Sequence, residues 1–437
     1  MFDELTQFLQ QRSDHSDIAR IGTALVDLEV DEFTNQFLQL GNKQVLFFED
    51  VAAKRIPVVT NLLGTEERLL KALRIDSFAE GADRLLQALN PIPQRWANGA
   101  KPTPRPDLSR LLPRVVKRAA CQQVVHVNRD IDLSFLPISI EQQQPFGDYV
   151  ILRSVHGSPL LLPSRMSIRD GQTLSIQDHR VFHQLKREYG DKQIPVSLAF
   201  GGDPAIRPIA QTPIPHELDP FLVAGVLRNE SLNLVRAHSV ELEVPADAEI
   251  VIEGFLVLEQ DDWQVRVTAI THRANPILAI STPAEDDACG RVLSRFHEKL
   301  LLPIAQQFVP ELIDLRFSET GSAGSCLFVQ VADEHSLQRL VGILQSFPLL
   351  EACTMVAVVF PNVDFSDDAA VWRSVLQSGT RFESMGGSNR VLIVAKTAVS
   401  SPRNPEIQSG VLKKLQSLGY APADNTVDVT NEFSETD

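Results

Sequence analysis

Between Cys121 and Ser281 the chain is a succession of short apolar or alternating segments, and this limits its possible folds more than any other feature. VVHV, DYVILRSV, PLLLPSRMSI, QTLSI, PVSLAFGG, VELEVP, AEIVIEGFLVLE, WQVRVTAITH and PILAIS run apolar or alternate, with Gly, Pro and Asp at their bounds. The stretch therefore reads as a β-dominated domain, with a barrel as one way to close it. Two helical patterns interrupt it, from His179 to Tyr189 and from His216 to Arg228. In the second, Leu218, Leu222 and Val226 form a stripe of four-residue spacing.

Both flanks read as α/β. Phe2, Leu5, Phe8 and Leu9 recur at helical spacing, and Lys43–Phe48 and Ile56–Leu63 read as strands, the second entering a turn at Gly64. Thr65 followed by Glu66, Glu67 and Leu69 is a helix start with its cap. The proline-rich stretch Asn90–Leu112 has no periodicity and reads as a linker. After a helical pattern over Asp287–Phe308, the segments CLFVQV, SLQRLVGILQSF, TMVAVVF, AAVWRSVLQSG, RVLIVAK and GVLKKLQSLG alternate as β-α-β-α-β-α. Asn425–Asp437 is polar and acidic, the composition of a disordered tail.

Composition narrows the function. With 437 residues, 43% apolar and 22% charged, the chain can bury a large core over two or three domains. A formal charge of −15, with no Lys/Arg cluster to offset it, repels phosphodiester backbones and argues against a nucleic-acid partner. No apolar run is long enough for a membrane span, and MFDELTQFLQQ lacks the basic-then-apolar order of a signal peptide, so the expected location is the cytoplasm. Cys121, Cys289, Cys326 and Cys353 are far apart and form no CxxC pair, so they are expected to be buried free thiols.

Several phrases then match a known pattern in order. They are IPVVTNLLGTEERLLKAL, CQQVVHVNRDIDLSFLPI, IPVSLAFGGDPA, FLVAGVLRNESLNLV, VELEVPADAEIVIEGFLV, VRVTAITHRANPI and LLLPIAQQFVPELIDL. Together they cover most of residues 50–315 and resemble the UbiD family of reversible decarboxylases, which use prenylated flavin mononucleotide on aromatic or α,β-unsaturated acids. The resemblance implies an α/β (α+β) fold with an N-terminal α/β module and linker over 1–112. A split-barrel-like, flavin-binding-type domain over 113–312 and a C-terminal α/β domain over 313–424 would follow, then the tail 425–437. It implies non-oxidative decarboxylation of a small carboxylic acid, with prenylated FMN as cofactor, in a homo-oligomer or beside an active family member.

The resemblance also assigns residues. Arg165 takes the place of the arginine that holds the substrate carboxylate, and Ser164, Arg165, Gln177, His179 and Arg180 the place of cofactor contacts. The family bridges a divalent metal such as manganese to the flavin phosphate through an Asn, a His and a Glu. Those positions fall on Leu160, His179 and Asn233, so one ligand of three remains and no metal is expected. Read on its own, Arg165 could also be the solvent-facing member of an alternating strand with Ser167 and Arg169. His179 and His183, spaced i, i+4, would share a helix face as a structural pair lacking a companion glutamate.

The family's two catalytic acids belong to an excursion after the strand that ends near Gly254. Here FLVLEQDDWQVRV follows at once, so Phe255–Leu258 and Trp263–Val267 read as a plain hairpin with Glu259–Asp262 in a solvated turn. The phrase Gln143-Gln144-Pro145-Phe146-Gly147-Asp148 is similar to the missing motif, but it lies upstream and has Gln143 where a proton-shuttling acid is needed. The alternative reading is a catalytically silent paralogue that serves as a binding or assembly subunit.

Overall fold

Two faces of one long strand show how the molecule is organised. In PLLLPSRMSIRD the even-numbered residues Leu160, Leu162, Met166 and Ile168 are buried in one cluster, whereas Leu161 belongs to another. Successive side chains on a strand point to opposite faces, so both faces of this wall are covered. The structure is a computed structural model, and the residues it describes are 17–22, 27–89 except 55, 107–137, 146–212, 218–281 and 286–395 apart from 319–325, 341–352, 377–380, 385–390 and single positions between 308 and 362, plus Leu5 and Leu9. The sequence expectations for 90–106, 138–145, 213–217 and 396–437, and most of SLQRLVGILQSF, lie outside these residues.

At the N-terminus, β1 (Ile18–Ile21), α1 (Asp27–Gln39), β2 (Val45–Phe48) and β3 (Val58–Thr60) form a small sheet, followed by α2 (Glu66–Leu73) and α3 (Phe78–Leu89). β1 is parallel to β2, and β2 is antiparallel to β3. Thr65 caps α2 as its sequence predicts, its hydroxyl accepting from Arg68 N at 3.3 Å.

The central part contains β4 (Arg114–Val116), β5 (Val124–Val127), β6 (Phe146–Arg153), β7 (Pro159–Asp170), β8 (Thr173–Ile176), α4 (Arg180–Tyr189) and β9 (Ile194–Phe200). It continues with α5 (Ile206–Ala210), α6 (Pro220–Arg228), β10 (Asn233–Arg236), β11 (Glu243–Pro245), β12 (Ile250–Glu259), β13 (Asp262–His272) and β14 (Leu278–Ala279). Six of these strands close a barrel in the order β12-β9-β6-β7-β8-β13, with β13 pairing back to β12, and β5 adds to β13 outside the ring. Closure removes the unpaired edges that an open sheet would expose.

The barrel interior is filled by Val150, Leu162, Leu198, Phe200, Ile252, Trp263 and Val265. Its outer wall, with Tyr149, Ile151, Leu161, Ala199 and Val251, packs in one cluster with Leu69, Leu73, Leu85, Phe221, Leu227 and Phe296 from the surrounding helices. Burying each such side chain contributes roughly 1.5–3 kcal/mol. β14 leaves the barrel region and pairs in parallel with β3, so the N-terminal sheet takes its fourth strand from more than two hundred residues further on.

Gly254 is required where β12 bends. The register shifts between Glu253 and Gly254, and a Cβ at Gly254 would stand 2.2 Å from the Arg266 carbonyl oxygen. Glu253 itself is fully buried, and its carboxylate is satisfied by Ser239 Oγ at 2.9 Å and His238 N at 2.8 Å.

The C-terminal part follows α7 (Asp286–Gln306) and comprises β15 (Leu312–Phe317), β16 (Cys326–Val331), β17 (Met355–Val359), α8 (Asp368–Val375), β18 (Arg381–Ser384) and β19 (Val391–Val394). The sheet order is β15-β16-β17-β19-β18, with the inner three strands parallel and both outer strands antiparallel. Cys121, Cys326 and Cys353 are buried free thiols, and burial pushes Cys121 and Cys326 up to about 12. The Cys289 side chain lies outside the described residues.

Candidate functional site

β7 carries Ser164 and Arg165 on opposite faces. Ser164 is buried toward the barrel interior, and Arg165 is half-buried on the outer wall with its Nη1 out of reach of solvent. The alternation with Ser167 and Arg169 is therefore real, and along this face Arg165 is only partly exposed, between the exposed Pro163 and Arg169 and the buried Leu161 that packs with the helices. A cation in this setting is weakly screened and keeps a strong hold on an anion.

Two neighbours frame Arg165. Gly147 of β6 pairs with it on one side, and past the end of β8 the Gln177 N–H donates to the Arg165 carbonyl oxygen at 2.8 Å. The β7–β8 ladder thus carries the chain directly from Arg165 to Gln177, Asp178, His179 and Arg180, of which Gln177 and Arg180 are exposed and His179 is half-buried. Of the residues grouped by the resemblance, Arg165 and Gln177 are joined through the backbone, His179 and Arg180 follow two and three residues further on, and Ser164 lies on the opposite face of β7.

His179 departs from its expected place. It is the N-cap of α4 rather than a member of it, and its Nδ1 accepts from the Val181 N–H at 3.2 Å. His179 and His183 therefore share no helix face. His183 pairs with Asp178 at 2.8 Å, and its ring meets Trp263 edge-on with centroids 5.3 Å apart.

The other metal positions are also separated. Leu160 is buried in the barrel core, five residues from Arg165 on a ladder with unbroken β6–β7 register, so the two face opposite ways. Asn233 is exposed at the start of β10, in the separate sheet β11-β10-β4. Glu230 pairs with Arg74 and lies 3.7 Å from Arg228. Among the described residues no three His, Cys, Asp or Glu side chains converge. This donor set does not fit a divalent ion.

The hairpin is tighter than the sequence suggests. β12 and β13 stay paired to Glu259–Asp262, leaving only Gln260 and Asp261 as the turn, with φ of 52° and 62°. Glu259 and Asp262 are strand ends rather than turn residues. Glu259 bonds Arg266 at 2.9 Å, and Asp262 bonds Ser175 Oγ at 3.0 Å with Arg169 at 3.4 Å. Neither acid contacts Arg165. Trp263, next in the chain, is buried against Phe182, with ring centroids 5.6 Å apart.

The architecture defines a mixed α/β protein built around a closed six-stranded barrel, with a half-buried arginine on the outer wall. Two family models match: the 3-octaprenyl-4-hydroxybenzoate carboxy-lyase Rift-related domain over residues 114–264 and the N-terminal domain of the same family over 10–88. Together they span just over half of the chain, which belongs to the UbiD family.

Among relatives, an uncharacterised protein of Aquifex aeolicus is 29% identical over 76% of this chain and 74% of its own length. One from Archaeoglobus fulgidus is 27% identical over 84% and 82%. Among solved structures, vanillic acid decarboxylase of Sedimentibacter hydroxybenzoicus in closed form superposes with a TM-score of 0.72 at 20% identity, over 95% of this chain and 99% of that one. An evolved dimeric form of the UbiD-class enzyme HmfF from Pelotomaculum thermopropionicum, in complex with prFMN, gives 0.69 at 21%, over 94% and 100%. At these identities the structural likeness shows the fold.

Proposed function

We propose that the chain is a UbiD-type carboxy-lyase that removes carbon dioxide, without net oxidation, from an aromatic or α,β-unsaturated carboxylic acid held by Arg165. In this reaction the bond to the carboxylate carbon breaks, its electron pair stays on the substrate carbon, and one proton completes a new C–H bond. The balance needs a proton and no oxidant. The reading is supported above all by Arg165, a half-buried cation on β7 whose carbonyl oxygen accepts from the Gln177 N–H, in a chain of this family.

Prenylated FMN, when bound, would supply the electron sink for the substrate carbon. The residues this reading sets against it are Ser164, Arg165, Gln177, His179 and Arg180. Arg165 and Arg180 offer charge to a phosphate or carboxylate, which suits the anionic parts of a flavin nucleotide, whereas Ser164 lies on the other face of β7 from Arg165. No step passes through a metal, because Leu160 and Asn233 supply neither charge nor a shared face with His179. The expected setting is the cytoplasm; no helix among the described residues is long and apolar enough to cross a membrane.

The second reading, a catalytically silent paralogue acting as a binding or assembly subunit beside an active family member, is favoured by the two-residue turn at Gln260–Asp261. With Glu259 and Asp262 held by Arg266, Arg169 and Ser175, neither is disposed to return a proton to the product carbon. The test is to purify the protein from a host that makes prenylated flavin, record bound-flavin absorbance, and assay carbon dioxide release from cinnamate-like and hydroxybenzoate-like acids. Flavin with turnover supports the lyase. Absence of turnover across the acids, with or without flavin, supports the silent subunit.

A further inference from the structure

Away from Arg165, a cavity of about 510 Å³ opens between the end of α1, the start of α2 and α7. Its wall is built by local rules. Gly41, at φ 82°, ends α1 and turns the chain into β2, and its N–H bonds the Leu38 carbonyl at 2.9 Å, which presents Asn42 and Lys43 to the space. On the second side stand Gly64 and Thr65 at the start of α2. A Cβ at Gly64 would lie 1.8 Å from Asn61 Oδ1, so a side chain there would require Asn61 to shift. The third side is α7, where Arg291 and Arg295, four residues apart, share one face.

The charge of this lining runs against that of the molecule. Lys43, Arg291 and Arg295 all border the cavity, and none has an ion-pair partner among the described residues. Glu66 is the one acid of the lining, which leaves an excess of positive charge in a chain of formal charge −15. Neutral groups that can donate, from Asn35, Gln39 and Asn42, complete it, with Gln39 Nε2 bonded to Asn35 Oδ1 at 3.0 Å. The three cations are exposed and outnumber the single carboxylate of the lining, and a concave setting concentrates their field on whatever enters.

We infer that this cavity is a binding site for a compact multivalent oxyanion, a phosphate-bearing or polycarboxylate small molecule, held by Lys43, Arg291 and Arg295. Its size suits a small ligand, and the acidic remainder of the surface disfavours a nucleic-acid polyanion. The lining shares no residue with the Arg165 site, so the inference stands apart from the proposed reaction. Two arginines on one helix face supply forked donors, and the lysine opposite supplies a point charge.

The test uses the full-length protein and isothermal titration with sodium pyrophosphate and, separately, sodium citrate. Saturable one-to-one binding of at least one anion is expected, weakening as salt is raised. In the double variant Arg291→Glu/Arg295→Glu the dissociation constant should rise by about a hundredfold, roughly tenfold for each guanidinium removed from the anion. Arg373→Gln, on α8 outside the cavity, should leave it unchanged. Tighter pyrophosphate identifies the phosphate class, and tighter citrate the polycarboxylate class. Lys43→Gln/Arg291→Gln gives the same readout if the charge reversals disturb folding. Absence of saturable binding by both anions, or binding undiminished in the folded variants, overturns the site.

Discussion

The carbonyl oxygen of Arg165 accepts the amide of Gln177 at 2.8 Å, so the backbone beneath the guanidinium is fixed by the same ladder that delivers His179. Arg165→Ala should therefore remove a side chain without moving its strand. If the protein turns over an acid, kcat/KM for carbon dioxide release should fall roughly thirty- to a thousandfold, equivalent to about 2–4 kcal/mol from a bidentate interaction. Arg165→Lys should recover little of it, since an ammonium cannot reproduce the fork.

His179→Ala removes the acceptor for the Val181 N–H at the start of α4. The expected cost is about 1 kcal/mol of stability, read by urea denaturation. Manganese titration should give the same weak or absent signal in wild type and variant. Micromolar binding abolished by the substitution would mean that a metal site forms after all.

Gly254→Ala forces a Cβ to within 2.2 Å of the Arg266 carbonyl at the bulge of β12. Backbone cannot yield there without opening the β12–β13 pairing that closes the barrel. A loss of about 2–3 kcal/mol is expected in equilibrium unfolding, more than an exposed strand glycine would show.

Asp203 and Arg228 form an ion pair with both side chains almost wholly buried, Asp203 in the turn after β9 and Arg228 at the end of α6. Arg228→Met should cost about 3–5 kcal/mol because it strands a buried carboxylate. Replacing Asp203 by Leu in the same chain should restore part of that loss, and a double-mutant cycle measures the coupling.

Adjacent residues of α7 titrate in opposite senses. Burial raises Glu298 from 4.5 to about 7, so its contribution to stability is complete below about pH 4.5 and is lost as pH rises to about 7. Burial lowers His297 from 6.5 to about 3, so its contribution is complete above about pH 6.5 and is lost as pH falls toward about 3. Between 4.5 and 6.5 the slopes oppose each other. Glu298→Gln should leave stability rising with pH across this window, by about 2–3 kcal/mol, and His297→Gln should leave it falling. Urea midpoints at several pH values check both.

The barrel strands are legible in the sequence because β-branched alternation is a local signal, and the hairpin because nothing in FLVLEQDDWQVRV breaks the pairing except two turn residues. The pairing of Leu278–Ala279 with Val58–Val59 is not, since pairing across such a separation leaves no local trace. IARI is too short to show a period, and DLEVDEFTNQFLQ carries only the sparse stripe Val30, Phe33 and Phe37 among polar residues, so both escape a sequence reading. At the candidate site, the resemblance groups Ser164, Arg165, Gln177, His179 and Arg180, of which Arg165 and Gln177 are joined through the backbone while Ser164 faces the other way. It does not anticipate the half-burial of Arg165, because alternation marks a polar face without saying what covers it. His179 falls into the expected helix face because an imidazole is an uncommon cap, and periodicity extends naturally over it. Lys43, Glu66 and Arg291 lie far apart in the chain and meet only through the fold.

Where Gln260 and Asp261 join β12 to β13, the molecule offers a splice point. The strand ends are paired up to Glu259–Asp262, so a segment inserted there begins and ends on a rigid frame. The entropic cost of a longer loop grows only logarithmically, about 0.6 kcal/mol per doubling. Barrel closure depends on the ladder below the turn, and the turn itself packs no core. An acid-bearing insert could therefore be grafted at this rim with little penalty to the scaffold, which makes the chain a ready host for building a proton donor into a barrel wall that already carries an arginine.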